Sequence, residues 1–196
     1  MMARGRWIAG AGGVILALAL AGSAWFWQQN GAFDPANPSV GLADVEATVS
    51  RRYKVPEMSS AVLAGRLSAP DVVLFDVREA DEFAQSHIAG AQRVDPGMTA
   101  QAFLARYGRD LKGKVVVFYC AVGVRSGIML DRVQAVLPGV GATAAYNLRG
   151  GIFRWHATGQ SVQSQAGVAA SVHPYDADWK QLLDRTLAAR PNERSQ

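Results

Sequence analysis

The sequence predicts an α/β domain built on a mostly parallel sheet. Two apolar runs, Val72–Val77 and Val115–Tyr119, are nearly continuous, as in strands buried on both faces. Each lies between segments with helical character. The alternation of strands and helices extends over most of residues 50–162.

The elements run in order along the chain. Residues 1–27 form a transmembrane anchor or signal segment. "MMARGR" is short and basic, and Trp7 to Trp27 then runs 21 residues without a charge. As a helix this run is about 30 Å long, the thickness of a bilayer core. Trp7, Trp25 and Trp27 stand at its ends, where amphipathic rings prefer the headgroup level. Arg4 and Arg6 hold the N-terminus in the cytoplasm, so one transmembrane helix places the rest at the periplasmic side of the inner membrane. A cleaved signal is the alternative, since Ala21-Gly22-Ser23 and Gly22-Ser23-Ala24 fit small-residue cleavage patterns; the domain is then secreted to the periplasm.

Residues 28–45 read as a linker, polar and carrying Gly31, Pro35 and Pro38. A domain at 46–162 comes next. Ser59–Ala64 is a short capped helix and Val72–Val77 a strand. Glu79–Phe83 is a helical turn with acids at its start. Thr99–Tyr107 is a helix, Val115–Tyr119 a strand, Gly127–Leu137 a helix ending before Pro138. Thr143–Leu148 is a strand, and Gly151–Ala157 a helix after a Gly-Gly turn. Residues 163–196 are a C-terminal extension with a short amphipathic helix. Asp176 or Asp178 caps it, and Trp179, Leu182, Leu183 and Leu187 share one face. That face packs as a brace on the domain or serves as a lid, with His173, Tyr175 and Trp179 bordering the site.

Composition narrows the function. The net charge is +4, of which Arg4 and Arg6 supply two, too little and too scattered for a nucleic-acid partner. A single cysteine excludes an internal disulfide and a multi-cysteine metal centre. His87, His156 and His173 are far apart and show no zinc spacing, so no metal is expected, and double displacement on a single cysteine would require no cofactor.

The single cysteine, Cys120, ends the second strand in "KVVVFYCAVGVRSG". A cysteine there is often a small core residue. The residues on its C-terminal side argue otherwise. Open parallel sheets bind ligands beyond the carboxyl ends of their strands. Ala121, Val122, Gly123, Val124, Arg125 and Ser126 form a loop running into a helix start, where backbone N–H groups converge and favour an anion. Gly123 permits a positive φ in the curl. Arg125 is expected to add a fixed positive charge at the rim. The anion at the centre is then the Cys120 thiolate.

The chain resembles the rhodanese (sulfurtransferase) family across about residues 50–162. The resemblance rests on "DVRE" at Asp76–Glu79, "EFAQSHIAGA" at Glu82–Ala91 with Ser86 in place of the usual glycine, "CAVGVRSG" at Cys120–Gly127, and "NLRGGIFRW" at Asn147–Trp155. It implies a five-stranded, mostly parallel sheet flanked by helices. It also implies that Cys120 is catalytic, accepting a sulfane sulfur as a persulfide, and that residues 121–126 bind the substrate. The partners implied are a small sulfur donor, a thiol or cyanide-like acceptor and, as a further option, a protein acceptor. Asp76, Arg78 and His87 are read as supporting residues, the first two as an ion pair and His87 as a turn pin. Two other classes compete. Cysteine phosphatases of related fold carry C-x5-R, whereas Cys120 to Arg125 is C-x4-R. A non-catalytic persulfide carrier, redox sensor or interaction module tethered to the membrane fits the apolar Ala121, Val122 and Val124.

Overall fold

The computed structural model describes residues 34–190. The expected membrane segment at 1–27 lies outside them. Among the described residues, no helix is long and apolar enough to cross a membrane.

Five parallel strands make one sheet in the order β1-β5-β4-β2-β3. They are β1 (Glu57–Met58), β2 (Val72–Asp76), β3 (Gln92–Arg93), β4 (Val115–Tyr119) and β5 (Ala144–Leu148). β4 lies at the centre and all five of its residues are buried. Its unbroken apolar run follows from that position, because helices cover both faces of a parallel sheet. Register is continuous from Val72 opposite Val115 to Asp76 opposite Tyr119. The carboxyl ends of β2 and β4 therefore lie side by side, and Cys120 emerges there.

The helices are α1 (Leu42–Arg52), α2 (Ser60–Ala64), α3 (Ala80–Gln85), α4 (Ala100–Tyr107), α5 (Val124–Val133), α6 (Gly151–Ala157) and α7 (Ala177–Ala188). Phe75, Phe103, Tyr107 and Phe118 stack between sheet and helices with ring centroids 4.9–5.5 Å apart. Such rings bury large apolar areas and prefer tilted or offset contacts, which fixes α4 on β2 and β4.

Three expectations are corrected. Helix α1 starts at Leu42, inside the segment read as linker, because Leu42, Val45 and Val49 form a buried stripe. Helix α5 starts at Val124 rather than Gly127. Gly123 takes φ 101° and so turns the chain into the helix three residues early. The same helix ends at Val133, and residues Leu137–Val140 form a separate 3₁₀ turn around Pro138. Arg125 and Ser126 thus stand in the first turn of α5, not in an open loop.

After the sheet, β6 (Val162–Ser164) and β7 (Gly167–Ala169) form an antiparallel hairpin. Gln163 also bridges His87. Helix α7 is capped by Asp176, whose Oδ1 accepts from the N–H groups of Asp178 and Trp179. Trp179, Leu182 and Leu183 are its buried face. Arg185 on the same helix donates to the carbonyls of Pro35, Asn37 and Val40 and ties down the segment preceding α1.

Candidate active site around Cys120

Cys120 is 1% exposed. The loop after it is held from outside by its carbonyls. The N–H of Ile152 donates to the Cys120 carbonyl at 2.9 Å, and that of Phe153 to Ala121 at 3.0 Å. These amides belong to the first turn of α6, whose N-terminal N–H groups lack partners within the helix. The loop comes this close because Gly151 has no side chain. A Cβ there would lie 2.5 Å from the Ala121 carbonyl oxygen, and closer still to that of Cys120.

Asn147 at the end of β5 closes the other half of the loop. Its Nδ2 donates to the Gly123 carbonyl at 3.0 Å, and its Oδ1 accepts from Ser126 Oγ at 2.7 Å. Both Asn147 and Ser126 are fully buried. The carbonyls of residues 120, 121 and 123 are thus engaged, and the loop's N–H groups are left without carbonyl partners. The Gly123 N–H donates to Cys120 Sγ at 3.2 Å. Those of Ala121, Val122, Val124, Arg125 and Ser126 find no acceptor among the described residues. A cradle of amides around a sulfur suits an anion larger than the thiolate alone.

Arg125 is placed differently from expectation. It makes a bidentate ion pair with Glu82, 2.6 Å from Nη1 to Oε2 and 2.9 Å from Nη2 to Oε1. The side chains are 10% and 1% exposed. The guanidinium is therefore matched by a buried carboxylate and is not a free charge at the rim. Burial works against its charge, but Glu82 outweighs burial and holds Arg125 more firmly protonated than an ordinary arginine, with smaller help from Cys120 and Tyr175. The Tyr175 ring covers the guanidinium at 5.1 Å.

The supporting residues build the floor. Arg78 donates to both Asp76 oxygens, at 2.9 Å and 2.7 Å, and the pair is fully buried. Arg78 also donates to the Ser86 carbonyl and lies 5.9 Å from the Tyr119 ring centroid. Burial, reinforced by Asp76, holds the Tyr119 phenol well above its usual range, and its oxygen accepts from the Ile88 N–H at 3.0 Å. Asp76 and Arg78 thus bind the end of β2 to the Ser86–Ile88 turn. His87 pins that turn: its Nδ1 is 2.8 Å from the Phe83 carbonyl oxygen, its ring stacks on Phe83, and its backbone pairs with Gln163. No hydrogen bond links His87 to Cys120.

Residues 120–126 are brought together as the motif suggested. Glu82, Asn147 and Gly151 complete the site and are not singled out by the sequence as site residues, whereas Tyr175, expected at its border with His173 and Trp179, lies against Arg125. Asn147 and the Gly150-Gly151 pair stand in a recognisable motif, and Glu82 opens another. Nothing local announces that Glu82 meets Arg125, 43 residues away.

Comparison with known proteins decides the family. The rhodanese-like domain model matches residues 59–158. The chain belongs to the rhodanese-like domain family. Over 82 residues the rhodanese-like chain is 38% identical to the uncharacterized protein YqhL of Bacillus subtilis (strain 168), which is 42% of this chain and 59% of that protein. Under two thirds of that relative's length is therefore spanned. Among solved structures, BH2092 from Bacillus halodurans is similar at 20% identity and TM-score 0.46, covering 64% of this chain and 88% of that one. A thiosulfate sulfurtransferase from Pseudomonas aeruginosa is similar at 23% identity and TM-score 0.46, over 82% of this chain and 29% of that one. A Rhodopseudomonas palustris protein described as a possible tyrosine phosphatase is similar at 21% identity and TM-score 0.47, over 68% of this chain and 100% of that one.

Proposed function

We propose that the protein is a rhodanese-type sulfurtransferase that carries sulfane sulfur as a persulfide on Cys120. The observation that carries this reading is the loop after Cys120, whose carbonyls are taken by α6 and Asn147, whose Gly123 N–H donates to the Cys120 sulfur, and whose other N–H groups have no acceptor among the described residues. The Cys120 thiolate attacks the outer sulfur of a donor S–S bond. That bond breaks, the donor's remaining group leaves with the electron pair, and a Cys120–S–S⁻ anion remains. An acceptor such as cyanide or a thiolate then attacks the outer sulfur, and the electron pair of the Cys120–S bond returns to Cys120 as thiolate. One nucleophile serves both halves. The amides of residues 121–126 bind the outer sulfur, while Asp76, Arg78 and His87 hold the turn beside the loop.

The Arg125–Glu82 pair speaks against phosphatase chemistry. Phosphoryl transfer needs positive charge aimed at the phosphate oxygens, and here the guanidinium is occupied by a carboxylate. A second reading, a persulfide carrier or sensor, is favoured by the burial of Cys120. Transfer from excess sulfane donor to cyanide, followed beyond one equivalent, separates the two. The enzyme reading expects thiocyanate to form in repeated cycles and to vanish in Cys120→Ser. A carrier loads once and stops.

We further propose that the Trp7–Trp27 segment tethers this domain to the inner membrane, facing the periplasm. A small sulfur donor, a thiol or a protein thiol would then meet it outside the cytoplasm. Protease added to spheroplasts should digest a domain that fractionates with membranes. Release by osmotic shock would show a cleaved signal, and full protection would place the domain inside.

A further inference from the structure

The segment between β7 and α7 is fastened to the Ser86 turn at one point and shaped by two contacts of its own. The His173 N–H donates to Ser86 Oγ at 2.9 Å, at the position where a serine departs from the family pattern. The Tyr175 N–H donates to His173 Nδ1 at 3.0 Å. Asp176 then caps α7. Between these anchors Tyr175 has φ 80°, the one non-glycine residue with positive φ among the described residues. A residue with a Cβ avoids that region unless its surroundings impose it. The consequence of this conformation is the ring's position over the Arg125 guanidinium, 5.1 Å to the centroid.

The charges beside the loop can be summed. In the attacking form Cys120 contributes one negative charge, Glu82 a second and Arg125 one positive. The three side chains are therefore net negative together when the donor is attacked. Glu82 takes both terminal nitrogens of the Arg125 guanidinium and the Tyr175 ring lies 5.1 Å from its carbon, so the two together hold Arg125 away from an incoming anion. Ala121, Val122 and Val124 are buried and apolar and supply no charge. Resting on the sulfurtransferase reading, we propose that Tyr175 is a specificity-determining residue. Its ring secures the Arg125–Glu82 pair, keeps Arg125 from the donor and restricts the site to sulfane donors of at most one negative charge, the class of organic hydropersulfides and thiosulfonates, at the expense of dianionic thiosulfate.

The loading step balances for each donor. With a hydropersulfide, the Cys120 thiolate takes the outer sulfur, the donor S–S bond breaks, and the proton of the outer sulfur passes to the departing sulfur, which leaves as a thiol. With methanethiosulfonate, the leaving group is methanesulfinate. With thiosulfate it is sulfite. No external oxidant or reductant is needed.

Methanethiosulfonate and thiosulfate are nearly the same shape and differ in charge, a methyl group replacing one oxygen. The test measures the rate at which each adds one sulfur to Cys120 in the full chain, by intact mass. The wild type should load from methanethiosulfonate on the order of tenfold faster than from thiosulfate, as one extra like charge in a partly desolvated site implies. Tyr175→Ala should erase most of that ratio by speeding thiosulfate loading, and Tyr175→Phe, which keeps the ring, should restore it. Ser86→Gly removes the His173 anchor and should shift the ratio in the same direction; it carries the test if Tyr175→Ala does not fold. Equal rates for the two donors in the wild type, or a ratio unchanged in both Tyr175→Ala and Ser86→Gly, would overturn the proposal while leaving sulfur transfer intact. No loading of the wild type from either donor would overturn the sulfurtransferase reading itself, and this inference with it.

Discussion

The two sides of the Cys120 loop are held by different means. On the side of α6 the contacts are made by backbone: Ile152 and Phe153 donate to the carbonyls of Cys120 and Ala121, and Gly151 allows the approach. On the side of α3 they are made by side chains: Glu82 holds Arg125, Tyr175 covers Arg125, and Ser86 holds the strap. The first side fixes where the amides point and so belongs to the chemistry of the loop. The second fixes how charge is presented at its mouth. Backbone contacts survive most substitutions, whereas each side-chain contact can be exchanged singly. The difference teaches that one loop geometry can be kept while donor preference is adjusted beside it.

The sharpest way to break the backbone side is Gly151→Ala. The new methyl would collide with two backbone carbonyls that are themselves hydrogen-bonded, at a residue with φ 55°. The expected loss is about 4 kcal/mol or more, in the range reserved for such strain. Thermal unfolding should show a large drop in midpoint, with sulfur loading lost in whatever remains folded. A variant of normal stability would mean that α6 does not clamp the loop.

Next in size is Glu82→Gln on the side-chain side. It leaves Arg125 buried with its charge uncompensated. Breaking one partner of a buried pair costs about 3–5 kcal/mol, and the amide can still accept one hydrogen bond, so about 3 kcal/mol is expected. Denaturant unfolding measures it. A change below about 1 kcal/mol would show the pair to be solvated as surface pairs are.

A smaller effect should come from Asn147→Ala. It removes the bonds to the Gly123 carbonyl, which keeps the Gly127 N–H, and to Ser126 Oγ, which is left buried and unpaired, at about 1–3 kcal/mol by the usual cost of an unmet partner. The α6 contacts remain, so the variant should fold and load sulfur more slowly. An unchanged loading rate would assign the amide geometry to α6 alone.

How much of this is legible in the sequence depends on whether the cause is local. The Val115–Tyr119 run announces a central strand, and its end announces Cys120, because strand burial and loop position are both written within a few residues. Asp176 announces its helix through a capping side chain. The ion pair of Asp76 and Arg78 lies two residues apart. By contrast, β1 and β3 have two residues each and show no periodicity at all. The start of α5 is hidden because a single glycine at positive φ, not an apolar pattern, sets it. Arg125 looks like a free charge in the sequence because its partner is supplied by the neighbouring position of β2 and β4 in the sheet, which brings α3 beside the loop. The strap is legible as a tail with a helix, but the Ser86–His173 contact spans 87 residues and comes only from the fold.

Everything proposed for the loop depends on Cys120 holding a sulfane sulfur beside the Gly123 N–H. The most direct test is the intact mass of the chain after exposure to a sulfane donor and removal of the excess. One added sulfur is expected, mapped to the peptide containing Cys120, absent in Cys120→Ser and discharged by cyanide as an equal amount of thiocyanate. An unchanged mass after every donor tried, with the chain folded and Cys120 reduced, would contradict it.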